Sequence, residues 1–278
     1  MKEKKFKLST LIEEVLLGVC TIIIMVPVYY FVISAFKKRT DIVKHPLVIN
    51  GEMFTLSNFP AMIKKMQFWE ALRNTTIITV VPLLFVVVLA SIAGFAIARI
   101  GGKFLKTYYK GLVALMVIPY IGCLLPLVVL STKINTYNSL WACILIQAAW
   151  NMPFATFLYA GFMQTIPKEL EEAAYIDGCS TVGVYKTVFL PLLTPVTATC
   201  CIRQGIGMWN DYLTCRSLLN GDRTPTLMCG VRNFFGAYRS DYGYAFCAIL
   251  VSSLPMILMY IFLQKYFIKG MVAGAVKG

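Results

Sequence analysis

The architecture of this chain is indicated by one polar stretch, EEAAYIDGCSTVGVYKTVFLPLLTP, which runs from Glu171 to Pro195. Carboxylates on Glu171, Glu172 and Asp177 flank two alanines and precede a glycine here, although 58% of the whole chain is hydrophobic. A basic Lys186 follows, and then two prolines open another apolar run. A polar segment between apolar runs indicates that the chain contacts something there besides lipid.

The composition is typical of a membrane protein. The 278 residues have a mean hydropathy of +0.71, and only 14% of them are charged. A soluble domain of this size needs about a quarter charged residues to cover its surface. The formal net charge of +13 comes from short basic clusters between apolar runs, so it favours membrane lipid headgroups as the partner and no nucleic acid.

Six apolar runs are candidates for spans, since most exceed the roughly 20 residues that a helix needs to cross the hydrocarbon. The alternation of a membrane β-barrel is missing, and a spanning helix satisfies its own backbone. We therefore predict an all-α membrane protein with six transmembrane helices in a single domain over residues 1–278. The predicted spans are approximately 14–36, 75–98, 111–132, 139–162, 190–212 and 242–264.

A short helix is predicted between spans four and five. Pro167 suits an early helical position, acidic residues favour the N-terminal end, and Gly178 suits a left-handed stop. This helix of about three turns is far too short to span. Glu169, Ala173 and Asp177 are spaced i, i+4, i+8, so one face presents carboxylates beside a small residue. That face suits a partner with basic groups and a groove.

The same segment resembles the EAA loop of bacterial ABC-importer permeases, a glutamate and two alanines, a glycine four residues later and an I-x-L-P ending. Val188 stands in place of the isoleucine. The matching residues are Glu172, Ala173, Ala174, Gly178, Leu190 and Pro191. The longer form EEAAYIDG, FVISAFK ending at Lys37, WNDYL at Trp209–Leu213 and GAVKG at Gly274–Gly278 make essentially the whole chain similar to the maltose-type carbohydrate permeases.

The resemblance implies that residues 165–190 hold a cytoplasmic coupling helix, seated in a cleft of a separate ATPase, and that both termini are cytoplasmic. The charges alone leave the orientation open, because Lys and Arg divide almost evenly between the two sides. The implied ATPase-coupling residues are Glu169, Glu172, Ala173, Ala174, Asp177, Gly178, Leu190 and Pro191.

The resemblance also implies the partners. They are a second homologous permease subunit, two ATP-binding ABC ATPase subunits and an extracellular or periplasmic sugar-binding protein, assembled at the bacterial cytoplasmic membrane. The sequence has no GxxxxGK[ST] phosphate loop. ATP and Mg are therefore expected on the ATPase, with no cofactor or catalytic residue in this chain.

A polar stripe on span five could line a translocation path. Thr199, Arg203, Gly207 and Asn210 lie on one helical face. Arg203 is the only formally charged residue well inside a predicted span, which makes it a functional hypothesis by default. It lies about 20 Å across a core of about 30 Å, so it could instead snorkel outward or pair with another subunit. The sequence leaves these roles open.

Further candidates lie in span four and in the last long loop. Trp150 and Asn151 could stack on and hydrogen-bond a sugar, although Trp150 could also simply pack. Trp209 is expected to be an interfacial anchor. The loop from Cys215 to Asp241 resembles one that family members insert into the binding protein. Its candidate contacts are Asn220, Asp222 and Arg223.

Nine cysteines imply no metal site, because no CxxC or Cys/His spacing occurs. Most lie in apolar runs, where a thiol behaves as a small hydrophobe. Cys215 and Cys229 share the last long loop, so they could pair on an oxidising side or remain free thiols.

The leading hypothesis is a transmembrane permease subunit of an ATP-driven, binding-protein-dependent carbohydrate importer. The main alternative is an ABC permease for a non-sugar solute such as a glycerol phosphate. An ion-coupled secondary carrier would usually place acidic or histidine relays in mid-membrane, where this sequence has none. A membrane protease is disfavoured because HExxH and GxSxG are both missing.

Overall fold

The computed structural model describes residues 8–221, 223–236 and 241–275. Within these ranges the regular structure is helical, apart from isolated bridge residues such as the antiparallel pair Lys37 and Phe54. The helices are α1 Leu8–Ala35, α2 Arg39–Lys44, α3 Asn58–Lys65, α4 Phe68–Phe95, α5 Lys103–Leu115, α6 Tyr120–Lys133, α7 Leu140–Gln164, α8 Lys168–Ile176, α9 Thr181–Val184, α10 Leu190–Leu192, α11 Thr194–Trp209, α12 Leu213–Leu218, α13 Leu227–Asn233 and α14 Tyr242–Ala275. Two π-helical turns extend this set: Ala96–Ile100 continues α4, and Tyr185–Phe189 joins α9 to α10.

Four helical segments of the described chain are long and apolar enough to cross a membrane: Leu11–Ala35, Phe68–Ile100, Leu140–Gln164 and Tyr242–Tyr266. Two bent helix pairs raise the number to six if each pair is one span. The predicted all-helical membrane fold is therefore confirmed, with four to six candidate spans. The last helix continues to Ala275, past the end near residue 264 that hydropathy indicated.

The predicted spans at residues 111–132 and 190–212 are each interrupted. α5 and α6 make an angle of 105°, and Thr181–Leu192 makes an angle of 68° with α11. Pro119 directly precedes α6 with extended backbone, and proline keeps the residue before it out of a helix. Pro195 has no N–H for the carbonyl of Pro191, and the hydroxyl of Thr194 donates to that carbonyl instead, at 2.9 Å.

The described residues fall into two compact units. The first comprises those up to Phe68 together with Gly230–Ser253. Within it, the side-chain amide of Asn58 donates to the carbonyls of Ala35 and Lys37, at 3.1 and 2.8 Å. The ammonium of Lys37 is buried and donates to the carbonyls of His45 and Pro46, at 2.9 and 3.1 Å. Burial lowers the pKa of Lys37, and these contacts fix the loop that follows α1.

The second unit comprises Trp69–Cys229 and the described residues from Leu254 onward. Its main core joins α4, α7 and α11 with the segment from α8 to α10. At Gly94 a Cβ would lie 2.8 Å from the Cβ of Tyr159, so α4 and α7 pack closely only because this residue is glycine. A second cluster forms around Ile78, Cys143 and Leu218. Both the predicted coupling segment and the predicted path therefore belong to this unit.

Candidate functional site

The short helix expected between spans four and five is present as α8, Lys168–Ile176. It ends in a Schellman motif: the N–H of Gly178 donates to the carbonyl of Tyr175, and the N–H of Cys179 donates to the carbonyl of Ala174, both at 3.0 Å. Gly178 has a φ of +83°, as its sequence position predicted. The motif ends the helix sharply and redirects the chain toward α9.

The two faces of α8 differ in exposure. The expected coupling residues Glu169, Glu172, Ala173 and Asp177 are exposed, as is Gly178. The helix also exposes three large hydrophobic side chains that the sequence motif does not mark, Leu170 at 46%, Tyr175 at 42% and Ile176 at 86%. An exposed face that mixes acidic, small and apolar side chains is suited to contact with another protein.

Ala174, also expected among the coupling residues, is 8% exposed and packs in the chain's own core. One residue along a helix turns the side chain by about 100°, so the exposed Ala173 and the buried Ala174 lie on different faces. Leu190 and Pro191 are exposed on α10, beside the fully buried Phe189.

The inner face of α8 is held by an arginine that no local sequence motif marks. Arg99 lies in the π-helical turn after α4, and its guanidinium donates to the carbonyls of Met163 and Ile166 at 2.6 and 2.5 Å. It also forms an ion pair with Glu171 at 3.7 Å, with the two side chains 5% and 16% exposed. The guanidinium carbon lies 5.0 Å from the ring centre of Phe189. One side chain therefore joins the ends of α4 and α7 to α8.

The rest of the segment is packed against α4 as well. The hydroxyls of Ser91 and Tyr185 are hydrogen-bonded at 2.8 Å. The ring of Phe95 lies 5.3 Å from that of Tyr185 and 5.0 Å from that of Phe189. Residues 165–190 are thus attached along their length to the helices of the second unit rather than suspended as a free loop.

The candidate path residues line two cavities of the second unit. The polar stripe of Thr199, Arg203, Gly207 and Asn210 lines one cavity of about 600 Å³ together with Phe154. Trp150 and Asn151 line the other, of about 630 Å³. Arg203 lines both cavities. The stripe inferred from helical periodicity is therefore a continuous lining in the structure.

A chain of amides that the sequence did not reveal runs behind the larger cavity. The side-chain amide of Gln204 donates to the carbonyl of Asn151 at 3.2 Å, and the amide of Asn151 donates to the carbonyl of Gln147 at 2.8 Å. Gln147 donates in turn to Asp211. Asp211 also accepts the N–H of Thr214 at 3.0 Å. These bonds hold α7 to α11 at the cavity wall.

The candidate binding-protein contacts lie in a tight turn. Asn220 and Arg223 are exposed, and the N–H groups of Arg223 and Thr224 donate to the carbonyl of Asn220 at 3.1 and 2.8 Å. The N–H of Asn220 donates to Asn138 at 2.7 Å. Asp222 lies outside the described residues.

Two other expectations have structural outcomes. Cys215 and Cys229 are both free, buried thiols. A hydrogen bond with Cys143 and burial raise the pKa of the Cys215 thiol, and burial raises that of Cys229, so both are unreactive. Trp209 is 4% exposed, and the anchor interpretation is wrong because its side chain packs inside the chain.

The chain is similar to known proteins over nearly its whole length. Residues 5–273 match the family described as binding-protein-dependent transport system inner membrane component. The chain is 33% identical to the melibiose/raffinose/stachyose import permease protein MelC of Bacillus subtilis, with 91% of each protein covered. It is 32% identical to the multiple sugar-binding transport system permease protein MsmG of Streptococcus mutans, covering 99% of this chain and 100% of MsmG.

The fold is also found in a solved structure. The chain matches a chain of a bacterial ABC transporter involved in the import of the acidic polysaccharide alginate, with a TM-score of 0.78 and 18% identity, covering 96% of this chain and 99% of that one. At this identity the match shows the fold. The family match and the full-length relatives show more: the chain belongs to the inner membrane components of binding-protein-dependent transport systems, as a multi-pass ABC permease subunit that works with a binding protein and an ATPase and is not itself catalytic.

Proposed function

We propose that this chain is a transmembrane subunit of an ATP-driven importer of sugars or oligosaccharides. It pairs with a second homologous permease, two ATPase subunits and an external sugar-binding protein, and both its termini are cytoplasmic. The substrate class is supported by the relatives MelC and MsmG, both named for sugar transport and both matched over more than nine tenths of this chain. The coupling role is supported by the difference between the two faces of α8. One face is exposed, and the other is held by the ion pair between Arg99 and Glu171, which we call the Arg99 clamp.

The clamp gives α8 a mechanical role. Closure of the two ATPase subunits would move α8 through its exposed face. Because Arg99 joins α8 to the ends of α4 and α7, these helices would move with it. ATP binding would in this way favour one conformation of the spans over the other, which is the requirement for alternating access.

The ATPase contact of α8 can be tested at Ile176, which is 86% exposed. We expect Ile176→Asp to lower the ATPase retained by the purified permease roughly tenfold, about 1.4 kcal/mol, because a charge replaces an apolar contact at the C-terminal end of the exposed face of α8. The measurement is copurification from detergent. Val43→Asp is the matched control, since Val43 is a 66% exposed aliphatic residue of α2. Equal ATPase retention in both variants would contradict docking through α8.

The topology can be tested by photo-crosslinking. A crosslinker placed at Asn220 should capture the sugar-binding protein, whereas the same group at Ile176 should capture the ATPase, because the proposed topology places these positions on opposite sides of the membrane. The products would be identified by mass spectrometry of the assembled transporter. Capture of the ATPase from Asn220 would refute the orientation.

The function itself is tested in proteoliposomes that hold the complete transporter. Neutral oligosaccharides and glycerol phosphate are supplied in turn with the binding protein, and ATP hydrolysis and uptake are followed. A sugar importer hydrolyses ATP faster with a sugar and accumulates that sugar. If only glycerol phosphate stimulates ATP hydrolysis, the substrate is a glycerol phosphate and not a sugar. Uptake driven by an ion gradient without ATP would refute the proposal.

A further inference from the structure

The cation of Arg203 has no carboxylate partner in the described chain. Arg203 is the only charged residue of α11, and none of the ion pairs among the described residues includes it. Arg216 and Arg223 are likewise absent from these ion pairs, but they lie outside the predicted spans, whereas Arg203 lies inside one. A charge at membrane depth is costly, so it is normally paired or functional.

The guanidinium of Arg203 is held where a solute can reach it. Its carbon lies 5.6 Å from the ring centre of Phe154. A Cβ at Gly207 would lie 3.7 Å from its terminal nitrogen, so the side chain follows its own helix toward this glycine. It is exposed and lines both cavities. Its position presents the five N–H donors of a planar group that matches carboxylate, sulfate and phosphate oxygens.

A buried amide lies next to this cation. Gln204 is 1% exposed, and its Oε1 has no hydrogen-bond partner, although its Nε2 donates to Asn151. Gln204 lines the larger cavity with Trp150 and Asn151. A buried acceptor without a donor is rare and needs a reason. A hydroxyl donor at this position would satisfy the acceptor, and an indole offers a face on which a sugar ring can stack.

We propose that Arg203 binds the acidic group of a charged saccharide in this path, and that Gln204 accepts a hydroxyl of the same solute. The inference rests on the proposed sugar-import function and narrows its substrate class to saccharides that carry a carboxylate, sulfate or phosphate. The cation is then neutralised during each passage by the solute, rather than permanently by a neighbouring side chain.

The test compares charged and neutral forms of the same sugars in the complete transporter, reconstituted with its binding protein. The probes are trisaccharides of glucose and of galactose, each as the neutral parent and with one carboxylate, sulfate or phosphate group. The wild-type transporter should take up at least one acidic form faster than its parent. Arg203→Gln should lower uptake of that form at least tenfold and raise its KM, so that its advantage over the neutral parent is lost.

Two variants separate a binding role from a structural one. Arg203→Lys keeps the charge and should retain part of the acidic uptake, with a steeper loss at high salt. Arg73→Gln removes a surface arginine whose side chain is 67% exposed, and it should not alter the preference for acidic forms. Comparing uptake of the carboxylate, sulfate and phosphate forms shows which anionic group the transporter prefers.

The outcomes distinguish this inference from the function on which it rests. Uptake of neutral sugars with no acidic form transported would overturn the role of Arg203 and leave the sugar importer intact. Equal losses for acidic and neutral sugars in Arg203→Gln, together with loss of the second permease on purification, would overturn it in favour of an ion pair between subunits. Uptake of no saccharide at all would overturn both proposals.

Discussion

Arg99→Ala is expected to abolish ATP-driven uptake while the permease still inserts in the membrane. Removal of the guanidinium leaves Glu171, which is 16% exposed, without its partner, and leaves the carbonyls of Met163 and Ile166 without their donors. Breaking a buried ion pair in this way costs about 3–5 kcal/mol. Because the same side chain joins α8 to α4 and α7, its removal weakens the contacts through which movement of the ATPase would reach the spans.

The distinguishing measurement is the ratio of ATP hydrolysis to uptake. If Arg99 transmits motion, hydrolysis should lose its stimulation by sugar and binding protein, while the ATPase remains attached through the exposed face of α8. Glu171→Gln should give a milder form of the same defect, since the neutral amide keeps the shape and can still accept a hydrogen bond. Arg99→Lys should be intermediate, because one ammonium cannot reproduce the planar fork that serves three oxygens.

A matched control exists on the same helix. Arg73 pairs with Glu70 at 3.6 Å, but the two side chains are 67% and 43% exposed, and such a surface pair contributes at most about 1 kcal/mol. Arg73→Ala should therefore leave coupling within twofold of wild type. Normal sugar-stimulated hydrolysis and uptake in Arg99→Ala would show that the clamp has no part in coupling.

The sequence revealed α8 because the signals for it are local. A proline, an acidic first turn and a glycine at the end define a short helix by spacing alone. The structure places the acidic turn and the glycine as expected, and Pro167 is the N-cap, one residue before the helix begins. The role of Arg99 is different. Glu169, Glu171 and Glu172 look alike in sequence, and only packing decides that Glu171 turns inward to an arginine far away in the chain.

The two interrupted spans also could not be predicted from local sequence. Prolines are visible in the sequence, but Pro27, Pro82, Pro153 and Pro255 lie inside continuous helices. Pro119 lies beside a break instead. Whether a proline only bends a helix or ends it depends on which neighbouring groups satisfy the freed carbonyls. Hydropathy records the apolar run in both cases, so it predicts the span and misses the bend.

Gly178→Pro is expected to abolish transport while the permease remains inserted. Gly178 has a φ of +83°, whereas proline fixes φ near −65°. Its N–H also closes the end of α8 by donating to Tyr175 at 3.0 Å, and proline has no N–H. A conflict of roughly 3 kcal/mol lowers the population of the correct turn about a hundredfold.

The form of the defect identifies its cause. A Cβ at Gly178 would meet no atom within 4 Å, so a substitution acts through the backbone and not through a clash. Asparagine tolerates the left-handed region, and Gly178→Asn should therefore keep uptake within about twofold of wild type, a factor that corresponds to only a few tenths of a kcal/mol. Uptake and ATPase copurification are measured for both variants.

If proline at this position supports normal uptake, the sharp end of α8 is not needed for coupling, and the assignment of residues 165–190 as the coupling segment fails. If asparagine is as harmful as proline, the side-chain-free surface of the turn is itself the contact with the ATPase, because the backbone conformation is then preserved and only the added atoms differ.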